Sequence, residues 1–311
     1  MTSDADLRRV HEVKAATLWT FEALWNGNYE ANRSLISRSA GVSSLFGKFG
    51  DVPALITGAG PSLEKNLHLF SGVQGRAAII AVDTALLPLV SAGVSPTITV
   101  MLDPQPYVAR FFAGVNTSRK TLLAPSIASP AALSQWKGEI VFYNKFAPDI
   151  PALTRIASQS PELGFLIPGG SVLSVGLDLA FRMGATSIGF AGQDLSYPPG
   201  GKAYVSGTTY GDVNADYVLS RATEEIVAET DIFGRTVRTK KSLSVTKQWM
   251  EWAFVNLKRE GGKAAFYNLT EGGIVTRECN VMSLAEWSGR FLRESFNLDW
   301  RVKKALQKKK R

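Results

Sequence analysis

Between Val52 and Ser196 the sequence alternates short, unbroken apolar runs with longer stretches at helical spacing, and this rhythm restricts the fold more than any single motif. VPALITG, RAAIIAVD, SPTITVMLDP, EIVFYNK and TSIGFAGQDL read as strands. PSLEKNLHLF, TALLPLVSAGV and GSVLSVGLDLAFRMGA read as helices between them. Strands that are apolar on both sides need cover on both sides, which a parallel sheet with helices above and below supplies. Right-handed crossovers then make the sheet doubly wound.

The flanks have a different texture. Residues 5–40 place Val10, Val13, Leu18, Phe21, Leu24 and Trp25 at helical spacing, which predicts one or two helices. Beyond residue 200, GGKAYVSGTTYGDVN is a loop rich in glycine and tyrosine, and ADYVLSRATEEIVAE reads as a helix. DIFGRTVRTK follows as a hairpin turning at Phe233-Gly234, then SVTKQWMEWAFVNLKREG as a helix, KAAFYNL as a strand and Leu284–Arg293 as a last helix. The expected fold class is therefore α/β, with a mostly parallel Rossmann-like sheet, a helical N-terminal segment and α+β additions at the C-terminus. Its expected divisions are 1–50 for the helical segment, 51–280 for a nucleotide-binding or transferase domain, and 281–311 for a C-terminal helix and basic tail.

Charge and cysteine usage narrow the function classes. The net charge of +8 is local, because RVKKALQKKKR at 301–311 holds seven of the 35 Lys and Arg and no acid, leaving 28 bases against 27 acids. A body so close to neutral lacks the spread-out basic surface of a DNA reader. The tail reads as a solvated, partly helical end, dispensable for folding, or as a handle for anionic lipid or RNA. Cys279 is the single cysteine and His11 and His68 the only histidines, so neither a disulfide within the chain nor zinc chemistry is expected. No apolar run reaches membrane-spanning length and the N-terminus lacks a secretory pattern, so a cytoplasmic location is the expectation.

The chemistry gathers at strand ends. In ALITGAGPSLEKN a strand enters Gly58 and Gly60, and a helix starts at Pro61 and Ser62. Two glycines let backbone approach a ligand, and free N–H groups at a helix start suit a phosphate; the alternative is a tight strand-to-helix turn alone. No Gly-Lys-Ser/Thr follows, and Leu63 takes the third glycine place of the dinucleotide fingerprint, so neither standard phosphate motif is complete. Asp83 and Asp103 end two further strands, on the edge where ligands of parallel sheets bind. Asp83, beside Thr84, is either a ligand group or an N-cap. Asp103, beside Gln105, is a turn residue or a holder of ribose, magnesium or an acceptor proton. Gly170 and Ser171 open another helix, and the next strand delivers Gln193 and Asp194, followed by Tyr197, Tyr204 and Tyr210 in the long loop. Thr270 and Glu271 close a last strand, as site residues or as a turn.

Taken together, GKFGDVPALITGAGPSLEKN, AVDTALLPLVSAGVSPTITVMLDPQ, GGSVLSVGLDLAFRMGATSIGFAGQDLSY and NLTEGG resemble the motility accessory factor family, from about Asn26 to Gly273. Its shared domain, DUF115, is also described as similar to archaeal 6-hydroxymethylpterin diphosphokinase. The resemblance implies a flagellin-modifying glycosyltransferase that moves a nonulosonic acid from its CMP ester to a Ser or Thr hydroxyl. The glycine turn also looks like the CMP-binding turn of bacterial sialyltransferases, with Ala59 where those carry asparagine. Those enzymes use a histidine base, and no histidine falls near Asp194–Tyr210; a base here would be Asp194 or Asp103. The chain is also shorter than full accessory factors. Two alternatives stand beside this expectation. One is a diphosphokinase acting on 6-hydroxymethylpterin or a similar alcohol with ATP and magnesium, the only case needing a cofactor, with Asp103 and Asp194 as its carboxylates. The other is a nucleotide-binding protein without catalysis.

Overall fold

The computed structural model describes residues 4–259 and 263–307, with side chains from Phe21 onward. Its strands are β1 (Ala40–Gly41), β2 (Ala54–Thr57), β3 (Ala78–Val82), β4 (Ile98–Val100), β5 (Thr121–Pro125), β6 (Glu139–Lys145), β7 (Phe165–Leu166), β8 (Ser187–Ala191), β9 (Ile226–Thr230), β10 (Thr236–Lys240), β11 (Ala265–Asn268) and β12 (Asn280–Val281). Ten of them form one sheet in the order β1-β6-β5-β4-β3-β2-β8-β11-β12, with β7 also on β6, and every pairing in it is parallel. Strands β2, β3, β4, β5 and β8 are buried at every residue, as strands covered on both faces must be. This is the doubly wound α/β sheet that the sequence rhythm predicts.

The N-terminal segment is a single helix, Asp4–Arg38. Its C-terminal half is fixed by polar side chains that reach the sheet's loops. Asn28 Nδ2 donates to the carbonyls of Pro104 (2.9 Å) and Ile127 (3.0 Å), Asn32 Nδ2 donates to Ala128 O (2.8 Å), and Tyr29 hydrogen-bonds Ser160 (2.8 Å). Val10, Val13 and Leu18 fall on this helix, but their side chains, with that of His11, lie outside the described residues. After Arg38 the chain runs straight into β1, so residues 40–41 belong to the sheet.

Several local expectations are corrected. ADYVLSRATEEIVAE is helical only over Ala215–Ser220, capped by Asn214. Ile226–Thr230 is instead a strand, antiparallel to β10. The β-branched Ile226 and Val227 gain a partner strand because Asp231 shapes the turn between them. Its carboxylate accepts from the N–H groups of Phe233 and Arg235 (both 2.9 Å) and pairs with the Arg235 guanidinium at 2.7 Å. PSLEKNLHLF is three short helical pieces, with His68 exposed in the middle one. β5 was not anticipated; its TLLAP run is short, wholly buried and ends at a proline, so it carries no alternation.

The C-terminal expectation also changes. Leu298–Leu306 is a helix packed on the body, with Val302 only 2% exposed. Arg301 pairs with Asp51 and lies over the rings of Phe49 (5.8 Å) and Phe296 (5.5 Å). Residues 301–306 are therefore part of the fold rather than a dispensable tail, while 308–311 lie outside the described residues. Burying one valine-sized side chain contributes about 1.5–3 kcal/mol. Ending the chain at Trp300 should lower the melting temperature by on the order of 5 °C relative to a chain ending at Gln307. Equal melting temperatures in differential scanning calorimetry would return this helix to the dispensable tail.

Candidate functional site

Strands β2 to β6 step outward on one side of β2, and β8, β11 and β12 lie on the other. The strand order thus reverses between β2 and β8, where open parallel sheets leave a crevice beyond their carboxyl ends. Here the two turns are clasped together. Gly58 N–H donates to Ala191 O (2.9 Å) and Gly60 N–H to Gly192 O (2.8 Å). Ser62 donates through Oγ to Asp194 Oδ2 (2.7 Å) and through N–H to Oδ1 (3.3 Å). A Cβ on Gly58 would fall 2.5 Å from Gly192 O, and one on Gly60 would fall 1.9 Å from Asp194 Oδ2. The glycines let two protein segments close on each other. The expectation of free N–H groups at this turn is corrected, because those of Gly58, Gly60 and Ser62 already have partners within the chain, and the helix beyond is only Leu63–Asn66.

One cleft, of about 310 Å³, opens over β2 and β8. Gly58, Gly60 and Pro61 form one wall, and Gln193, Asp194, Tyr197 and Tyr204 line the rest. Asp194 is 9% exposed. Burial pushes its carboxyl up to about 6, against the opposing pull of the Ser62 donors. The long loop is tied down around it: Val205 N–H donates to Ala59 O (3.0 Å), Tyr197 N–H to Arg238 O (3.0 Å), and Lys202 pairs with Asp212 (3.1 Å) and Glu64 (3.6 Å).

A second cleft, of about 420 Å³, lies over β3, β4 and β6. Asp83, Asp103, Gln105, Tyr107, Lys145 and Gly170 line it, with Phe21 and Trp25 of the N-terminal helix as an aromatic wall. Asp83 Oδ1 accepts from Thr84 N–H (2.7 Å), and burial pushes its carboxyl up to about 7. Asp103 accepts from Gln105 N–H (2.9 Å) and from the Tyr107 hydroxyl. Burial lowers the Lys145 ammonium to about 8, against the pull of Asp103. Tyr210 stacks on Tyr204 at 4.5 Å, with the Arg110 guanidinium over its ring at 4.6 Å, so the long loop borders both clefts. The clefts share Thr84, Ser171 and Val172, where Ser171 caps the helix Val172–Arg182. Trp249 packs so closely over Gly169 that a Cβ there would sit 2.0 Å from its ring.

Of the residues singled out from sequence, Ser62, Thr270 and Glu271 line neither cleft. Ser62 clasps Asp194, the buried Thr270 hydroxyl accepts from Gln193 N–H (3.3 Å), and the Glu271 carbonyl accepts from Lys65 (3.1 Å). Asp103 and Asp194, expected to act together on a metal, line different clefts. Sequence reasoning missed Lys145, Tyr107, Trp25 and Asn28. For Lys145 a signal was present, since it is the last residue of a predicted strand and so reaches the edge on which the clefts open.

Among the described residues no helix is long and apolar enough to cross a membrane, and no group of three His, Cys, Asp or Glu is placed to hold a metal. A family model described as 6-hydroxymethylpterin diphosphokinase MptE-like matches residues 28–200, more than half of the chain. No curated protein sequence matches it. Among solved structures, the MAf glycosyltransferase from Magnetospirillum magneticum AMB-1 is similar with a TM-score of 0.60 and 19% identity. The similarity covers 85% of this chain and 40% of that one, so this chain spans less than half of the neighbour's length. At that identity the likeness is one of fold.

Two tests follow from the geometry. Gly60→Ala places its Cβ against the Asp194 carboxylate, and the variant should melt well below the parent with no ligand present; an unchanged melting curve would show that the turns can separate freely. Asp83→Asn tests burial. Between the ordinary carboxyl value of 3.8 and about 7 the folded group keeps a proton that the unfolded chain has lost, so stability falls as pH rises through that window. The asparagine variant should gain on the parent from pH 4 to pH 8, by up to about 4 kcal/mol. A difference that does not vary with pH in urea unfolding would exclude this account.

Proposed function

We propose that the chain, which belongs to the 6-hydroxymethylpterin diphosphokinase MptE-like family, is a transferase that moves a group from a nucleotide-activated donor to an acceptor hydroxyl. One observation carries the proposal: two clefts of substrate size adjoin at Thr84, Ser171 and Val172 beside the reversal of strand order. Donor and acceptor held one in each would meet at that ridge, and such positioning supplies much of the rate of a group transfer. Glycosyl transfer is the specific reading we favour, from a CMP-activated nonulosonic acid to a protein hydroxyl such as a Ser or Thr of flagellin. The motif resemblance and the fold shared with a MAf glycosyltransferase support it.

In this reading Asp194 takes the proton of the acceptor hydroxyl as the sugar moves and the nucleoside monophosphate leaves. Its carboxyl, pushed up to about 6, is a stronger base than an ordinary aspartate and is still ionised at neutral pH. The Ser62 hydroxyl and N–H hold it in one orientation, so no histidine is required. Gln193, Tyr197 and Tyr204 offer polar groups around the same cleft. The diphosphokinase alternative needs magnesium bridging phosphate oxygens. Asp103 and Asp194 do not fit that role together, because they line different clefts.

Thermal-shift measurements with CMP, CDP, ATP and GTP, with magnesium or with EDTA, test the proposal. CMP should stabilise the chain equally in both conditions, by about 2.7 kcal/mol at a hundred times its dissociation constant. Stabilisation by ATP that depends on magnesium would favour the diphosphokinase, and binding of CMP without turnover of any CMP-sugar would favour a binding protein. Asp194→Asn should lower kcat by about 10²–10⁴-fold while leaving donor affinity nearly unchanged. The parent's rate should rise with pH through about 6 as Asp194 ionises, and the variant should lose this limb. A variant with the parent's turnover would reduce Asp194 to a structural clasp.

A further inference from the structure

The N–H groups of Gly58, Gly60 and Ser62 in the turn after β2 are already taken within the chain, so a nucleotide ligand needs further donors for its anion. Lys145 is the only Lys, Arg or His among the described residues that line the two clefts. It ends β6, and within the described residues its ammonium has no hydrogen bond or ion pair although the side chain is half-buried. Leu166, its register partner on β7, lies a few residues before the Gly169-Gly170 turn, so ammonium and turn open into one cleft. There Gly170 adopts φ +91°, Ser171 caps the eleven-residue helix Val172–Arg182, and the N–H groups of Gly170, Ser171 and Val172 have no partner among the described residues. An independent observation points the same way. Trp25 lines this cleft, is 7% exposed, and buries its indole N–H without a partner. An indole N–H can only donate, and leaving it unmet costs about 1–3 kcal/mol.

We propose that the cleft over β3, β4 and β6 contains an oxyanion subsite, formed by the Lys145 ammonium, the Trp25 indole N–H and the first N–H groups of the helix Val172–Arg182, which takes a phosphate or pyrophosphate group. The unmet polar groups named here are all donors, and a helix start adds its positive end. The acids in the cleft do not oppose an anion as strongly as their number suggests. Asp83 is tied to Thr84 and buried enough to hold its proton near neutral pH, and the charge of Asp103 is shared with the Gln105 N–H and Tyr107 hydroxyl and faces the Lys145 ammonium. Tyr210 lines the cleft as well, and Arg110 stands behind its ring. The subsite rests on the nucleotide-dependent reading for its occupant, and it moves the phosphate away from the glycine turn to the ridge between the two clefts.

Isothermal titration of the full chain with inorganic pyrophosphate tests the subsite. The parent should bind; Lys145→Met should lose about tenfold or more in affinity, and Lys145→Arg should stay close to the parent. Val172→Pro removes one N–H at the first helical position, where proline fits, and should weaken binding several-fold without unfolding the helix. Far-ultraviolet circular dichroism and melting curves establish that each variant is folded. Parent affinity in both Lys145→Met and Val172→Pro, or no binding of pyrophosphate to the parent, overturns the subsite. Pyrophosphate bound through Lys145 with no nucleotide bound keeps the subsite and removes the donor reading. CMP affinity untouched by Lys145→Met keeps the donor reading and removes the subsite.

Discussion

The contact between Ser62 and Asp194 holds together the two central strands on which the rest of the sheet is built. β2 and β8 pair over four residues, and beyond them only the glycine turns and this carboxylate keep the chains from diverging. The clasp extends further, because the Asp194 carbonyl accepts from Ile274 N–H at 3.1 Å and so fixes the turn after β11 as well. Three neighbouring strand ends therefore meet at one residue. The burial that makes this possible also raises the affinity of the carboxyl for its proton. Architecture and proton chemistry are, at this point, one interaction. The glycine pair, which looks from sequence like a ligand cradle, first serves that closure.

The walls of the second cleft come from segments that the clasp positions but does not contain. The N-terminal helix, distant in sequence, carries Asn28 onto the Pro104 carbonyl and Trp25 into the wall of the second cleft. That carbonyl adjoins Asp103, so the first helix sets the course of a loop some 75 residues later. From above, the helix Lys241–Arg259 lays Trp249 on Gly169 and fixes the start of the helix capped by Ser171. Elements outside the Rossmann-like core thus shape the clefts, and the core alone would present an open edge.

Much of this was legible in the sequence. Continuous apolar runs identified β2, β3, β4, β6, β8 and β11, and the glycines and aspartates at their ends marked the edge on which the two clefts open. What was not legible depends on partners far along the chain. Ile226–Thr230 looks helical until a strand is present to pair with it, and TLLAP has no period at all. The roles of Asn28 and Asn32 are long-range hydrogen bonds that leave no local trace. Asp103 and Asp194 end strands on the same edge, which sequence can tell; that they line separate clefts depends on the lateral order of strands, which it cannot. That the partly helical end packs on the body was hidden by its lysines, which outnumber Val302, Ala305 and Leu306 in a basic run.

The short strands at the rim of the sheet have a consequence for how the molecule behaves among its own copies. The outer side of the seven-residue β6 is covered by β1 at Val141 and Phe142 and by β7 at Asn144 and Lys145. The opposite rim is β12, also of two residues. A long, bare edge would offer a row of unpaired N–H and C=O groups to any extended chain nearby, which is the route to strand-by-strand aggregation. Edges only two residues long present too few rungs to template another chain. A broad parallel sheet can in this way remain separate at high concentration without a charged rim.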